Sequence, residues 1–159
     1  YTLWHTLSLH DALPICSTFI VGYPAETDAE FAELVSFVTD VRFHHAGVFP
    51  YSHEHDTHAY DLGDPVPQEE KERRVETLML AQQEASLART RGLIGHDIDV
   101  LVESFGNGAG LGRTRGDAPV VDNLVHFNAS GNIASGDIVS LHVTDAEPYD
   151  IYGDAAPLS

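Results

Sequence analysis

The chain has 159 residues and 43% hydrophobic content, enough for a packed core in one domain or in two small ones. No apolar run approaches membrane-spanning length. The formal charge of −17, with Lys71 the one lysine among seven scattered arginines, disfavours a non-specific grip on phosphate backbones and favours a basic partner. Cys16 is the single cysteine, so these residues hold no disulfide framework and no thiolate metal site. The simplest compartment is the cytoplasm.

Residues 1–16, YTLWHTLSLHDALPIC, lack the basic start and small-residue cleavage site of a signal peptide, and Pro14 interrupts their apolar stretch. The run TLSLHDALPI resembles the conceptual translation of a sequencing-adapter oligonucleotide. Residues 1–16 are therefore read as a non-native leader, with Cys16 at the junction.

Residues 18–21 form a short β-branched run, ended by Gly22 and Pro24, and read as a buried strand. TDAE, residues 27–30, is a capping box. Phe31, Leu34, Val35, Val38 and Val41 follow at helical spacing as a core-facing stripe. Residues 46–49 read as a second strand, closed by Pro50. Strand, capped helix and strand make a βαβ unit with parallel strands.

The polar stretch 53–67 is a loop. A long helix is predicted from Gln68 to about Arg91, with Val75, Leu78, Met79, Gln82 and Ala85 on one side. Its acidic start and basic end suit the helix dipole. Beyond Gly95 the hydrophobic period shortens to two. Four or five short strands in about sixty residues describe a small antiparallel barrel of OB-like size. The domains expected are thus residues 17–94 and 95–153, with a tail at 154–159.

Several separated motifs share one resemblance. TFIVGYPAETDAEF, GVFPYSHEHDTHAY, the helix VPQEEKERRVETLMLAQQEASLARTRGLIG, and GRTRGDAPVVDNLVHFNA with SGDIVSLHVTDAEPYDIYG resemble, in order, segments of the radical S-adenosylmethionine methylthiotransferases. The resemblance covers residues 17–153. It implies an α/β plus all-β chain: the C-terminal part of a radical-SAM (β/α) partial barrel, then a TRAM barrel. It also implies S-adenosylmethionine and two [4Fe–4S] clusters as cofactors of the parent enzyme. The cluster cysteines are absent here, so no residue of this chain is expected to be catalytic and the chain alone is expected to be inactive.

By the same resemblance, Gly22, Tyr23, Pro24, Tyr51 and Ser52 lie near the adenosine of S-adenosylmethionine, at the C-terminal ends of the parallel strands. Ala25 stands where the family has glycine. Arg113, Arg115, Asp117 and Asp122 are candidate partner contacts. The segments around 117–122 and 144–153 resemble the branch that modifies an aspartate of a basic small-subunit ribosomal protein. Against Arg113 and Arg115, residues 95–153 carry Asp97, Asp99, Glu103, Asp117, Asp122, Asp137, Asp145, Glu147 and Asp150. That sign suits a cationic protein and makes nucleic-acid binding by the barrel unfavourable. The alternatives are a tRNA-adenosine methylthiotransferase fragment and a stand-alone TRAM-type binding module.

The loop YSHEHDTHAY crowds His53, His55 and His58 beside Glu54 and Asp56. It stands where the family has YSPEEGTPA, in which none of these positions is a ligand. No metal site is expected there, beyond weak adventitious Zn²⁺ or Ni²⁺ binding at His55.

Overall fold

The structure, a computed structural model, describes residues 16–118 and 123–156. Residues 1–15 of the expected leader, and Asp122, lie outside the described residues. The chain runs β1 (Cys16–Val21), α1 (Asp28–Val41), β2 (His45–Pro50), a 3-10 turn at Tyr60–Leu62, α2 (Gln68–Arg91), β3 (Asp97–Gly106), β4 (Ala109–Thr114), β5 (Leu124–Asn128), β6 (Ile138–Ala146) and β7 (Asp150–Ala155).

β1 and β2 pair in parallel, Phe19 opposite Val48 and Ile20 opposite Phe49. The pairing begins at Cys16 opposite His45, so Cys16 is part of the fold although sequence alone assigns it to the leader. Thr27 caps α1: its hydroxyl accepts from the Glu30 amide at 3.2 Å, while the Glu30 carboxylate takes the Thr27 amide at 2.8 Å. Phe31 and Val38 are buried, and Leu34 and Val35 pack at the edge of that cluster with Val21, Phe43, Val48 and Leu78. Val41 departs from the expected stripe and is 37% exposed, because Arg42 turns left-handed at φ 53° and ends the helix there.

One face of the two-stranded sheet is thus covered by helices. On the other, Ile20 is 61% and Phe49 58% exposed, side by side in register. Two strands alone are marginal in water, and burying two such side chains would contribute about 1.5–3 kcal/mol each.

β3 to β7 close into a barrel of order β3-β4-β5-β7-β6. The expectation of an antiparallel barrel is corrected at one seam: β5 and β7 pair in parallel, Val125 opposite Ile151, while the other four pairings are antiparallel. The long β6 takes the chain across the barrel, so β7 returns beside β5 in the same direction. Alternate residues of each strand (Val100 and Val102; Val125 and Phe127; Val139, Leu141 and Val143) fill the interior with Ile133 and Ile151. β7 continues through Asp154 and Ala155, which sequence alone places in the tail.

α2 joins the two parts. The Ser86 hydroxyl donates to the Pro148 carbonyl at 2.5 Å, and the Thr90 hydroxyl to the Glu147 carbonyl at 2.8 Å. Both side chains are fully buried. Hydroxyls in the helix therefore seat the β6–β7 turn of the barrel.

Candidate functional site

The C-terminal ends of β1 and β2 meet the first two turns of α2. Gly22 leaves β1 with φ +75°, and a Cβ there would lie 2.5 Å from Cγ of Lys71. Glycine is required twice over, for the left-handed backbone and for the close approach. The Tyr51 amide donates to the Val21 carbonyl at 2.8 Å, which ties the two strand ends together. The Tyr23 and Tyr51 rings meet edge to face at 5.6 Å. Gly22, Tyr23 and Tyr51 are therefore brought together; Pro24 is half-buried beside them, and Ser52 is exposed, its hydroxyl donating to Glu54 at 2.6 Å.

Beneath this turn lies a side chain that the sequence reading did not single out. Lys71 is 2% exposed. Its Nζ donates to the Tyr51 carbonyl at 3.1 Å, pairs with Asp64 at 2.6 Å, and sits 5.3 Å from the Tyr51 ring centroid. One turn on, Arg74, 4% exposed, pairs with Glu26 at 2.6 Å, Asp28 at 2.8 Å and Glu70 at 2.8 Å. Glu26 in turn accepts from the Gly22 amide. Hydrogen bonds from Arg73 and Arg74 hold the Glu70 carboxyl down at about 2. The glycine turn is thus held from its amide by Glu26 and from below by the Lys71 stem. A signal was available: running the core stripe Ala85, Gln82, Leu78 back at helical spacing lands on Arg74 and Lys71.

Ala25 is harmless in place of glycine. Among the described residues the non-glycine positive-φ positions are Arg42, Asp56 and Asn107. Asp56, at φ 65°, stands in the histidine loop where the family has glycine; a short polar side chain tolerates that region better than most. In the same loop Tyr60 is flanked by His53 at 4.4 Å and His55 at 4.3 Å between ring centroids. The imidazoles pack on a phenol, and among the described residues no group of three or more His, Cys, Asp or Glu could hold a metal ion.

The barrel residues separate differently. Asp117 is 6% exposed. It accepts from the Thr114 hydroxyl at 2.5 Å and amide at 3.2 Å, and lies 3.7 Å from Nε2 of His45. Burial works to raise its pKa, but the bonds from His45 and Thr114 hold it below the ordinary carboxylate value. That placement sets the turn after β4 beside the first residue of β2. Arg113 donates to Glu103 at 3.0 Å and to the Asp117 carbonyl at 3.0 Å, whereas Arg115 is exposed.

Residues 94–156, which contain the closed five-stranded barrel, match the TRAM domain family. Over most of its length the chain is similar to ribosomal protein uS12 methylthiotransferase RimO. It is 43% identical to that of Chloroherpeton thalassium over 141 residues (86% of this chain, 32% of the relative). Identity is 41% over 140 residues with Aquifex aeolicus (86% and 32%) and 46% over 145 residues with Syntrophotalea carbinolica (89% and 32%). The chain spans about a third of the length of these curated relatives.

Proposed function

We propose that this chain is the substrate-docking and cofactor-flanking part of a radical S-adenosylmethionine methylthiotransferase. Its parent would methylthiolate the β-carbon of an aspartate in the decoding-centre ribosomal protein uS12. The observation that carries the reading is the parallel strand pair, helix-covered on one side and bearing uncovered Ile20 and Phe49 on the other. A sheet that presents apolar side chains away from its helices is a piece of a larger wall, as in a (β/α) barrel whose lumen lies on that side. The similarity to RimO proteins across 86–91% of the chain supports it.

The residues present do not fit an iron–sulfur cluster: cluster iron takes thiolates, and Cys16 is the one cysteine. No step is derived through a cluster. They do fit one side of an S-adenosylmethionine site. The Gly22 turn has no room for a side chain, and the strand ends at Tyr23, Pro24, Tyr51 and Ser52 share one rim. Bound there and cleaved by a one-electron reductant outside this chain, S-adenosylmethionine would supply the carbon radical that abstracts hydrogen from unactivated carbon. The chain's own part is to orient and to dock. Lys71 and Glu26 hold the rim in one shape, and the acidic barrel attracts a cationic protein while repelling tRNA.

Binding decides between this reading and a tRNA-directed relative. The chain is immobilised and offered purified uS12 and bulk tRNA at physiological salt. Retention of uS12, weakening as salt rises, is expected; retention of tRNA with loss of uS12 would overturn the reading.

A further inference from the structure

The barrel carries an open groove of about 620 Å³ across β4, β5 and β7, lined in part by Phe105, Leu111, His126, Asn128, Tyr152 and Asp154. Two of its walls are stacked ring pairs. His126 and Tyr152 lie 5.0 Å apart at 15°, and Phe105 and Phe127 lie 6.1 Å apart at 12°. Carboxylates border the first pair. Asp150 is 3.7 Å from Nε2 of His126, and Asp154 is held by the Asn128 amide at 3.1 Å. Among the described residues no lysine or arginine lines the groove. Burial, and then the charges of Glu147, Asp150 and Asp145, push the Tyr152 phenol up.

These features restrict the occupant. Every strand has two neighbours in the closed barrel, and beside the groove only a short end of β3, Ser104 to Gly106, pairs with β4 and not with β6, so a partner gains little from edge pairing and is read chiefly through its side chains. Stacked rings suit a nucleobase as well as a guanidinium. A nucleic acid, however, would bring phosphates against Asp150 and Asp154 with no cation lining the groove to receive them. A guanidinium is planar, weakly hydrated and stacks on aromatic faces while pairing with carboxylates, whereas an ammonium is a strongly hydrated point charge.

We propose that this groove is the subsite for an arginine side chain of an extended basic segment, seated against the His126–Tyr152 ring pair and neutralised by Asp154 and Asp150. The inference rests on the docking of a basic protein proposed above and gives it a location and a residue preference.

The test titrates the full chain with three labelled probes: an unstructured arginine-containing peptide, the same peptide with lysine at each arginine, and a single-stranded oligonucleotide. The arginine peptide is expected to bind roughly fivefold tighter than the lysine peptide, and Tyr152→Leu and Asp154→Asn each to lose roughly fivefold. Asp99→Asn, outside the groove, is expected to bind as the parent does. Should Tyr152→Leu fail to fold, Asp154→Asn decides, since Asp154 is exposed. If uS12 is retained while Asp154→Asn and the lysine peptide bind undiminished, the groove is refuted and the docking reading survives with its contact elsewhere. Loss of uS12 binding altogether sinks that reading and this one together; tight oligonucleotide binding blocked by Tyr152→Leu reassigns the groove to nucleic acid.

Discussion

Replacing Lys71 by methionine keeps the stem that packs under Gly22 and removes the charge that ties the two strand ends to the loop. Three interactions are lost: the donation to the buried Tyr51 carbonyl at 3.1 Å, the pair with Asp64 at 2.6 Å and the cation–ring contact with Tyr51 at 5.3 Å. Breaking a buried pair costs about 3–5 kcal/mol when the orphaned charge stays buried. Here the orphan is Asp64, 34% exposed, which water can reach, while the Tyr51 carbonyl loses one charge-assisted bond of about 1.5–3 kcal/mol. The expected destabilisation is therefore about 2–3 kcal/mol, read by urea unfolding followed by far-UV circular dichroism. Hydrogen exchange at the amides of Gly22, Tyr23 and residues 51–53 should quicken in the same variant, because the turn loses its underside support. A Lys71→Met variant within about 0.5 kcal/mol of the parent, with exchange unchanged, would refute the argument that this lysine holds the rim together.

Gly22→Ala is expected to cost about 2–4 kcal/mol, the left-handed strain plus the collision with Lys71. Adding Lys71→Ala should recover part of that loss in a double-mutant cycle, the collision being removed and the φ strain not. Glu70 has a folded pKa of about 2 against an ordinary 4.5. Its stabilising contribution is complete above pH 4.5 and disappears as pH falls towards 2. Glu70→Gln should accordingly flatten the acid limb of the stability curve within that window, and an unaltered limb would count against the Arg73–Glu70–Arg74 bonds. Arg42→Gly and Asp56→Gly relieve left-handed backbone at φ 53° and 65°; each is expected to raise stability by about 0.5–1 kcal/mol in the same unfolding assay.

The candidate site was half legible. The turns at Gly22, Tyr23 and Tyr51 were legible because a glycine and a proline at a strand end leave a mark in the sequence, and the resemblance pointed to the same turns; their role toward a cofactor is the proposal made above. The resemblance also places a glycine where Asp56 now turns left-handed. Lys71, Asp64 and Arg74 were not found, because a charged side chain on a helix reads as solvated until the packing around it is known. Asp117 reads as a candidate partner contact, yet it is buried against Thr114 and against His45, a residue far away in the chain.

By itself the amino-acid sequence determined the local elements. The capping box started α1, acidic and basic ends framed α2, and the change from a helical to a two-residue hydrophobic period marked the start of the barrel, since each of these acts over a few neighbouring residues. Only the tertiary structure decided the parallel β5–β7 seam, the burial of Lys71, Arg74 and Asp117, and the ring-walled acidic groove. Each of these depends on segments distant in the chain meeting in space. Strand order is set by closure of the whole barrel, and a charge can be buried only where remote partners arrive to neutralise it.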